Sequence, residues 1–213
     1  MMTAVTAPPA KTWLVVGASR GIGHEFARQL LERGDSVYAT VRKPGAEHMA
    51  AFCSYDDFAF HLHTNTIGPI ICAQRLLNSG ISIGTTIFIS SDSGSTQNFR
   101  EKEDGFSAYS ASKAALNQMA RHMAAELKRK KSETVILLLH PGEVMTDMAN
   151  VDLGWEVEGQ MTPAESVSAC LKTIETKGLD ESGTFWTWDN KVSPTVDITR
   201  SGCALINYQP YPW

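Results

Sequence analysis

The chain has 213 residues, 43% of them hydrophobic and 20% charged, which is the composition of an ordinary globular domain with a full core. Its 19 Lys and Arg residues against 23 Asp and Glu residues leave a net charge of −4, so nothing favours nucleic acid or an anionic membrane surface as a partner. The sequence shows no CxxC spacing, signal peptide or apolar run of membrane length, and we therefore expect a cytoplasmic protein with free thiols.

The first predicted element is a buried parallel strand at Trp13–Val16. Gly17, Gly21 and Gly23 follow it directly, then an amphipathic helix, then a second strand at Val37–Val41. In such a β-turn-α-β unit, glycines let backbone N–H groups approach a pyrophosphate at the positive end of the helix. The order therefore indicates a dinucleotide site, with a structural turn that binds no ligand as the alternative.

The end of the second strand indicates which dinucleotide the site prefers. NAD sites place an Asp or Glu there for the ribose hydroxyl, whereas the 2′-phosphate of NADP needs cations. Here the strand is followed by Arg42 and Lys43, and Arg20 lies in the glycine turn. A guanidinium group suits a phosphate, so the sequence favours NADP over NAD.

The chemistry-bearing residues follow the next predicted strand, Thr86–Ser90. This strand runs into a cluster of serines, and ligands of open α/β sheets lie at the carboxyl ends of the strands. A long helix then carries Tyr109 and Lys113 four positions apart, so the two share one face. Because a nearby ammonium stabilises a phenolate, this pair predicts a tyrosine that exchanges protons at neutral pH.

The last third of the chain has the pattern of a strand, a helix and a final strand. "LLLHPG" is predicted as the last long parallel strand, and "SGTFWTWDNKV" as the final one. Between them, Thr162 and Glu165 form a capping box with Pro163 at the first helical position. An α/β fold with a parallel sheet follows from this alternation.

Taken in order, these motifs resemble those of the short-chain dehydrogenase/reductase family. The glycine turn "GASRGIG", an Asn on a helix, a Ser at a strand end and a YxxxK pair match its pattern. The resemblance is greater to the branch of C-factor and the sniffer carbonyl reductase, in the stretches "NTIGPI", "ISSDSGS", "AYSASKAALN", "HPGEVMTDM" and "PYPW".

The resemblance implies roles for these residues. Tyr109 would be the general acid/base, Lys113 would hold the ribose and assist the phenol, Ser91 would bind the substrate carbonyl, and Asn65 would complete a proton relay. Ser90 and Ser93 are alternatives to Ser91. The implied cofactor-binding residues are Gly17, Ser19, Arg20, Gly21, Ile22, Gly23, Arg42, Asn65, Tyr109, Lys113, Pro141, Gly142, Val144 and Thr146.

The chain departs from the family pattern in two places. Only 22 residues separate Arg42 from Asn65, too few for the two strands and helix that the family has there, since one βαβ unit takes about 30 residues or more. We therefore predict a truncated Rossmann-like doubly wound parallel sheet without family strands 3 and 4. The strand at Trp13–Val16 should lie beside Thr86–Ser90, and the helix with Asn65 should start soon after Tyr55.

The domain organisation follows from the same comparison. Residues 1–213 are predicted to form a single NAD(P)-binding Rossmann domain with a flexible start at 1–10. Residues 192–209 interrupt the ending expected from the family and are predicted to be an irregular insertion.

Three functions are compatible with the sequence. The first is an NADP-dependent oxidoreductase that reduces a small ketone or aldehyde by hydride transfer, with Tyr109 as the acid. The second is a catalytically impaired, truncated relative that acts as a binding or interaction protein. The third is a non-redox isomerase or lyase. No metal is expected, because the six histidines show no ligand spacing.

A homodimer is a further expectation, since the family associates through the two helices that here carry Asn65 and Tyr109. Four apolar side chains on these helices would form the contact, with packing in the core of the chain as the alternative: Ile71, Leu76, Met119 and Met123.

Overall fold

The computed structural model describes residues 10–41, 53–96, 99, 101–146, 157 and 159–193. The chain divides into two compact units. The first takes its residues from Met1–Gly45 and Glu143–Ala169, and the second from Ala46–Gly142 and Cys170–Trp213. The single domain expected from the length stays a prediction.

The first unit contains the predicted β-turn-α-β arrangement. Strand β1 (Thr12–Val16), helix α1 (Gly21–Glu32) and strand β2 (Ser36–Thr40) follow one another, and the two strands pair in parallel. Helix α1 ends where Gly34 adopts a φ of 85°, a left-handed conformation that lets the chain turn back towards β2. These elements match the strands and the helix that the apolar pattern predicts.

A continuous helical run opens the described part of the second unit. It consists of α2 (Tyr55–Leu62), a π-helical turn (His63–Ile67) and α3 (Gly68–Leu77). Ser54 caps it in a capping box with Asp57, which explains why the helix begins at Tyr55. The predicted start of the helix that carries Asn65 is therefore confirmed.

The sheet of the second unit has four strands in the order β3-β4-β5-β6. Strands β3 (Thr85–Ile89), β4 (Val135–His140) and β5 (Thr184–Thr187) run parallel, and the short β6 (Val192–Ser193) is antiparallel to β5. Every residue of β4 is buried, as expected for a parallel strand covered on both faces.

Two further helices complete the described elements, α4 (Ser107–Arg129) and α5 (Pro163–Glu175). Helix α4 packs its buried face on the sheet of the second unit. The core there consists of Ile70, Ala73, Phe88, Leu116, Ala120, Met123, Ala124, Ile136, Leu138 and Phe185. The predicted capping box of α5 is present, because the Glu165 N–H donates to Thr162 Oγ1 at 3.2 Å and the Thr162 N–H donates to Glu165 Oε2 at 2.9 Å.

The predicted truncation agrees with this architecture, but the predicted strand pairing is wrong. Between β2 and β3 the described residues contain helices and no strand. Among those residues, however, β1 forms its ladder with β2 and not with β3, which pairs with β4. Strands β1 and β2 pack on α1, and β4 packs on α4. Arg42, Lys43, most of the 192–209 insertion and the closing "PYPW" lie outside the described residues.

Candidate active site

The glycine turn in the first unit is shaped by close approach of the backbone. Gly17 and Gly21 have φ values of 88° and 56°, which side-chain-bearing residues rarely adopt. A Cβ on Gly23 would lie 2.2 Å from the carbonyl oxygen of Gly17, so only glycine fits there. The turn therefore has the tight backbone that a dinucleotide cradle requires.

Strand β2 anchors the start of this turn. The N–H groups of Gly17 and Ala18 donate to the carbonyl oxygen of Thr40 at 3.2 and 2.8 Å. The α1 N-terminus follows, with Ser19 and Arg20 exposed beside it and Ile22 half-buried. A helix N-terminus with a cation beside it is a suitable site for phosphates.

A second segment of the first unit lies against the glycine turn. A Cβ on Gly21 would contact the Thr146 methyl group at 3.3 Å. Val144 is buried and forms a parallel bridge with Met161, which fixes the backbone of this segment. Two predicted cofactor-binding positions, Gly21 and Thr146, are therefore neighbours.

In the second unit, the end of β3 places two serines in different environments. Ser90 is buried and its hydroxyl donates to Asn117 Oδ1 on α4 at 2.5 Å, so this group is occupied in a structural contact. Ser91 is also buried, and its Oγ accepts the N–H of Ser93 at 3.2 Å. Ser91 Oγ also donates to Ser93 Oγ at 3.2 Å, a longer contact than that of Ser90 with Asn117, so both hydroxyls have partners and the choice of Ser91 stays a prediction.

Tyr109 and Lys113 share one face of α4, as their spacing predicts. The Lys113 Nζ lies 5.5 Å from the centroid of the Tyr109 ring and donates to the carbonyl oxygen of Ile89 at 3.0 Å. Lys113 is buried, so its charge is held in a setting with little solvent screening. The ammonium is thus placed between the phenol and the end of β3.

The loop that follows Ser91 packs directly on α4. A Cβ on Gly94 would lie 2.9 Å from both the nitrogen of Ala114 and the carbonyl carbon of Lys113. Glycine is required because the two backbones touch. The serine loop and the Tyr–Lys pair therefore belong to one constellation.

Asn65 connects to α4 through Ser112. Its Nδ2 donates to Ser112 Oγ at 3.0 Å, and Ser112 Oγ donates to the carbonyl oxygen of Tyr109 at 2.6 Å. Asn65 lies in the π-helical turn, a distortion that is frequent at functional sites. The structure therefore brings Asn65, Ser112, Tyr109 and Lys113 together.

Comparison with known proteins shows the family of the chain. The sequence profile described as short chain dehydrogenase matches residues 45–156, more than half of the chain. The chain belongs to the short chain dehydrogenase family. This match confirms the predicted family and oxidoreductase class.

Individual relatives of this short chain dehydrogenase support the same assignment. It is 32% identical to an uncharacterized oxidoreductase of Schizosaccharomyces pombe, over 86% of this chain and 98% of the relative. It is 30% identical to C-signal of Myxococcus xanthus, over 66% and 80% of the two chains. The first alignment spans 252 positions, more than the 213 residues available here, so it contains gaps in this chain. This agrees with the predicted deletion.

A solved structure shows the same fold. The carbonyl reductase from chicken fatty liver, crystallised with NADPH, superposes with a TM-score of 0.71 at 25% identity, covering 86% of this chain and 97% of that one. Among the residues that the structure describes here, no helix has the length and apolar character needed to cross a membrane.

The predicted site residues of this dehydrogenase fall into two groups. Ser91, Tyr109, Lys113, Asn65, Pro141 and Gly142 lie in the second unit, and Gly17, Ser19, Arg20, Gly21, Ile22, Gly23, Val144 and Thr146 in the first. Arg42 is outside the described residues. The roles given to these positions stay predictions.

Two residues of the constellation are missing from the sequence-based set. Ser112 could have been found, because it stands three positions after Tyr109 on the same helix. His61 has no metal-ligand spacing in the sequence, yet it is buried with its ring centroid 6.1 Å from that of Tyr109. The sequence signal that could have identified His61 is its spacing of one helical turn from Asn65.

Proposed function

We propose that this short chain dehydrogenase reduces a small ketone or aldehyde with NADPH, and that Tyr109 donates the proton to the carbonyl oxygen. The observation that carries the proposal is the position of Lys113, whose ammonium lies beside the Tyr109 ring and is anchored to the end of β3. A phenol beside a buried cation exchanges its proton more readily than an isolated one.

The chain's own residues fit a dinucleotide. The glycine turn offers a close backbone approach, and the exposed Arg20 offers a cation for a 2′-phosphate. NADPH would supply the hydride that attacks the carbonyl carbon. The NADPH bound to the chicken carbonyl reductase supports this choice of cofactor.

The remaining residues orient the reacting groups. Ser91 would donate a hydrogen bond to the carbonyl oxygen, which positions it towards Tyr109. Tyr109 would pass its phenolic proton to the carbonyl oxygen, so that the reduced product is an alcohol. Asn65, held by Ser112, would hold a water molecule through which a proton from solvent returns to Tyr109. The ammonium of Lys113 stabilises the phenolate that remains.

The test is a comparison of two tyrosine variants. Tyr109→Phe should remove NADPH-dependent reduction of a panel of ketones and aldehydes, while isothermal titration shows NADPH binding close to that of the unaltered chain. Tyr55→Phe is the matched control, because Tyr55 is 85% exposed at the start of α2. Full activity of Tyr109→Phe would exclude the proposed acid.

A second function is favoured by the exposed apolar residues of β1. Leu14 and Val16 are 42% and 57% exposed, although parallel strands are normally covered on both faces. A two-stranded sheet on its own is marginally stable, so a chain that binds a partner without catalysis is the alternative. Calorimetric titration with NADPH that releases no heat would favour this binding protein. Turnover without cofactor would instead indicate an isomerase or lyase.

The remaining expectations concern the surroundings of the chain. Of the four cysteines, the described residues include Cys53, Cys72 and Cys170, all with free thiols. Free thiols suit the reducing cytoplasm that the sequence favours. We propose the substrate as a small carbonyl compound or alcohol and the assembly as a homodimer.

A further inference from the structure

His61 is a buried titratable group that the proposed reaction does not use. Its side chain belongs to a residue only 3% exposed, on the last turn of α2. It stands one helical turn before Asn65, so the two residues share a face of the same helical run. Burying an imidazole costs free energy unless its nitrogens have hydrogen-bond partners, so its contacts indicate what it does.

The hydrogen bonds around Asn65 fix the direction of its amide. A serine hydroxyl carries one hydrogen, and that of Ser112 is donated to the carbonyl oxygen of Tyr109 at 2.6 Å. The Ser112 oxygen can therefore only accept from Asn65, whose Nδ2 lies 3.0 Å away. Asn65 must present its NH₂ group, not its oxygen, to this side.

The same reasoning fixes the tautomer of His61. The Nδ1 atom of His61 lies 3.5 Å from Asn65 Nδ2, which has a second hydrogen to donate. Nδ1 can accept this hydrogen only if it carries none itself. A hydrogen bond from Asn65 to Nδ1 would thus need a neutral imidazole with its proton on Nε2.

His61 also contacts the tyrosine directly. Its ring meets that of Tyr109 edge-to-face, with centroids 6.1 Å apart and an interplanar angle of 79°. Such a contact restrains the rotation and tilt of the phenol ring. One imidazole therefore touches both members of the predicted proton relay, Asn65 and Tyr109.

We propose that His61 is a positioning residue, which orients the Asn65 amide and the Tyr109 ring for proton transfer only while its imidazole is neutral. The proposal rests on the proposed function. A protonated His61 would turn an N–H group towards the N–H of Asn65 and break the arrangement. Among the charged or titratable groups on the neighbouring elements, Tyr109 contacts the ring of His61 and Lys113 lies beside Tyr109. Asp57 stands one turn earlier on α2, and His63 is exposed two positions later.

The first experiment reads the tautomer without any activity. The full chain is labelled with nitrogen-15 in histidine, and NMR correlations over two bonds between ring hydrogens and ring nitrogens are recorded near neutral pH. The His61 signal, assigned by its loss in His61→Asn, should show an unprotonated Nδ1 and a protonated Nε2. A signal with the proton on Nδ1 would overturn the proposal, whether or not the chain reduces carbonyl compounds.

The second experiment compares two substitutions at His61. An Asn side chain can place an oxygen near the position of Nδ1 but does not titrate, whereas Leu fills the space without an acceptor. His61→Leu should lower kcat on the order of tenfold to a hundredfold with little change in KM for NADPH, because only the relay is displaced. His61→Asn should restore most of kcat.

The pH profile separates this role from a purely structural one. Because protonation of His61 would break the arrangement, kcat of the unaltered chain should fall towards acid, and His61→Asn should lose that acid limb. His63→Asn, at an exposed neighbouring histidine, should keep it. An acid limb retained in His61→Asn would overturn the proposal, while no NADPH-dependent activity in the unaltered chain would instead refute the proposed function.

Discussion

The ammonium nitrogen of Lys113 lies 5.5 Å from the centroid of the Tyr109 ring, one helical turn away on α4. The same nitrogen donates to the carbonyl oxygen of Ile89, so its position is set by both the helix and the strand end. This double attachment makes Lys113 a rigid neighbour of the phenol.

Lys113→Met should therefore impair catalysis more than it impairs folding. We expect kcat to fall about a hundredfold or more, since general acid–base catalysis contributes about a hundredfold to ten-thousandfold. In the alcohol-oxidation direction, the pH at which the rate rises should move upwards, because the phenolate loses its neighbouring cation. Steady-state kinetics across pH measure both effects. Lys172→Met, at an exposed position on α5, is the control and should behave like the unaltered chain.

The contact between the serine loop and α4 predicts a sharp difference between two glycines. Gly94→Ala would bring a Cβ within 2.9 Å of α4 backbone atoms, whereas a Cβ on Gly84 would meet nothing within 4 Å. Because backbone atoms cannot rotate away, we expect Gly94→Ala to cost about 1–3 kcal/mol of unfolding free energy and to lower kcat. Gly84→Ala should leave both close to their starting values. Denaturant unfolding measures the first effect, and equal stability of the two variants would contradict the packing described.

Much of this architecture was predictable, because its signals are local. Apolar runs mark β1 and β4, and the glycines after β1 mark the turn that follows. The strand pairing was not predictable in the same way, since which strand lies beside β1 depends on contacts between distant segments.

Two residues illustrate the same limit within the site. Met123 was predicted to lie on a dimer contact but packs in the core with Leu116 and Ala120, which share its face of α4. A role for His61 can be inferred only from its contact with Tyr109, which lies on a different helix. A helical spacing identifies which residues share a face, but not what that face meets.

Glu25, a buried carboxylate on α1, predicts a pH-dependent contribution to the free energy of unfolding. Hydrogen bonds from the Arg28 guanidinium hold the pKa of Glu25 below its ordinary value of 4.5. A carboxyl with a depressed pKa stabilises the folded state above its ordinary value, and this contribution is lost as the pH falls through the depressed pKa. Glu25→Gln should therefore cost about 1–3 kcal/mol at neutral pH and much less in acid.

The control for this prediction is the second carboxylate bound to Arg28. Glu32 accepts from the same guanidinium, but its side chain is 62% exposed. Exposed ion pairs contribute about 0.2–1 kcal/mol, so Glu32→Gln should change stability little. Thermal unfolding at several pH values compares the two variants. A Glu25→Gln deficit that does not shrink in acid would contradict the electrostatic explanation.

The surface of α3 and α4 predicts how copies of the chain associate. Ile71 and Met119 are 44% and 43% exposed, whereas Leu76 is half-buried and Met123 is buried. If the expected homodimer uses these helices, Ile71→Glu and Met119→Glu together should convert it to a monomer, because a charge cannot be buried there unpaired. Light scattering gives the mass, and Ile81→Glu, on an exposed residue before β3, is the control. A monomeric mass for the unaltered chain would refute the dimer.

The truncation predicts that cofactor binding depends strongly on salt. The deleted segment includes a turn that, by resemblance to the family, packs against the cofactor, so charge contacts should supply a larger share of the affinity. Arg20, exposed beside the glycine turn, is the described cation placed for a 2′-phosphate. We expect the Kd for NADPH to rise steeply from about 0.02 M to about 0.5 M salt, because ions screen exposed charges.

NADH, which lacks the 2′-phosphate, should show a weaker dependence of its Kd on salt. Arg20→Gln should flatten the NADPH slope towards that of NADH, while Arg75→Gln, exposed on α3, should not. Titration calorimetry at several salt concentrations measures all three, and an NADPH affinity that ignores ionic strength would contradict this account.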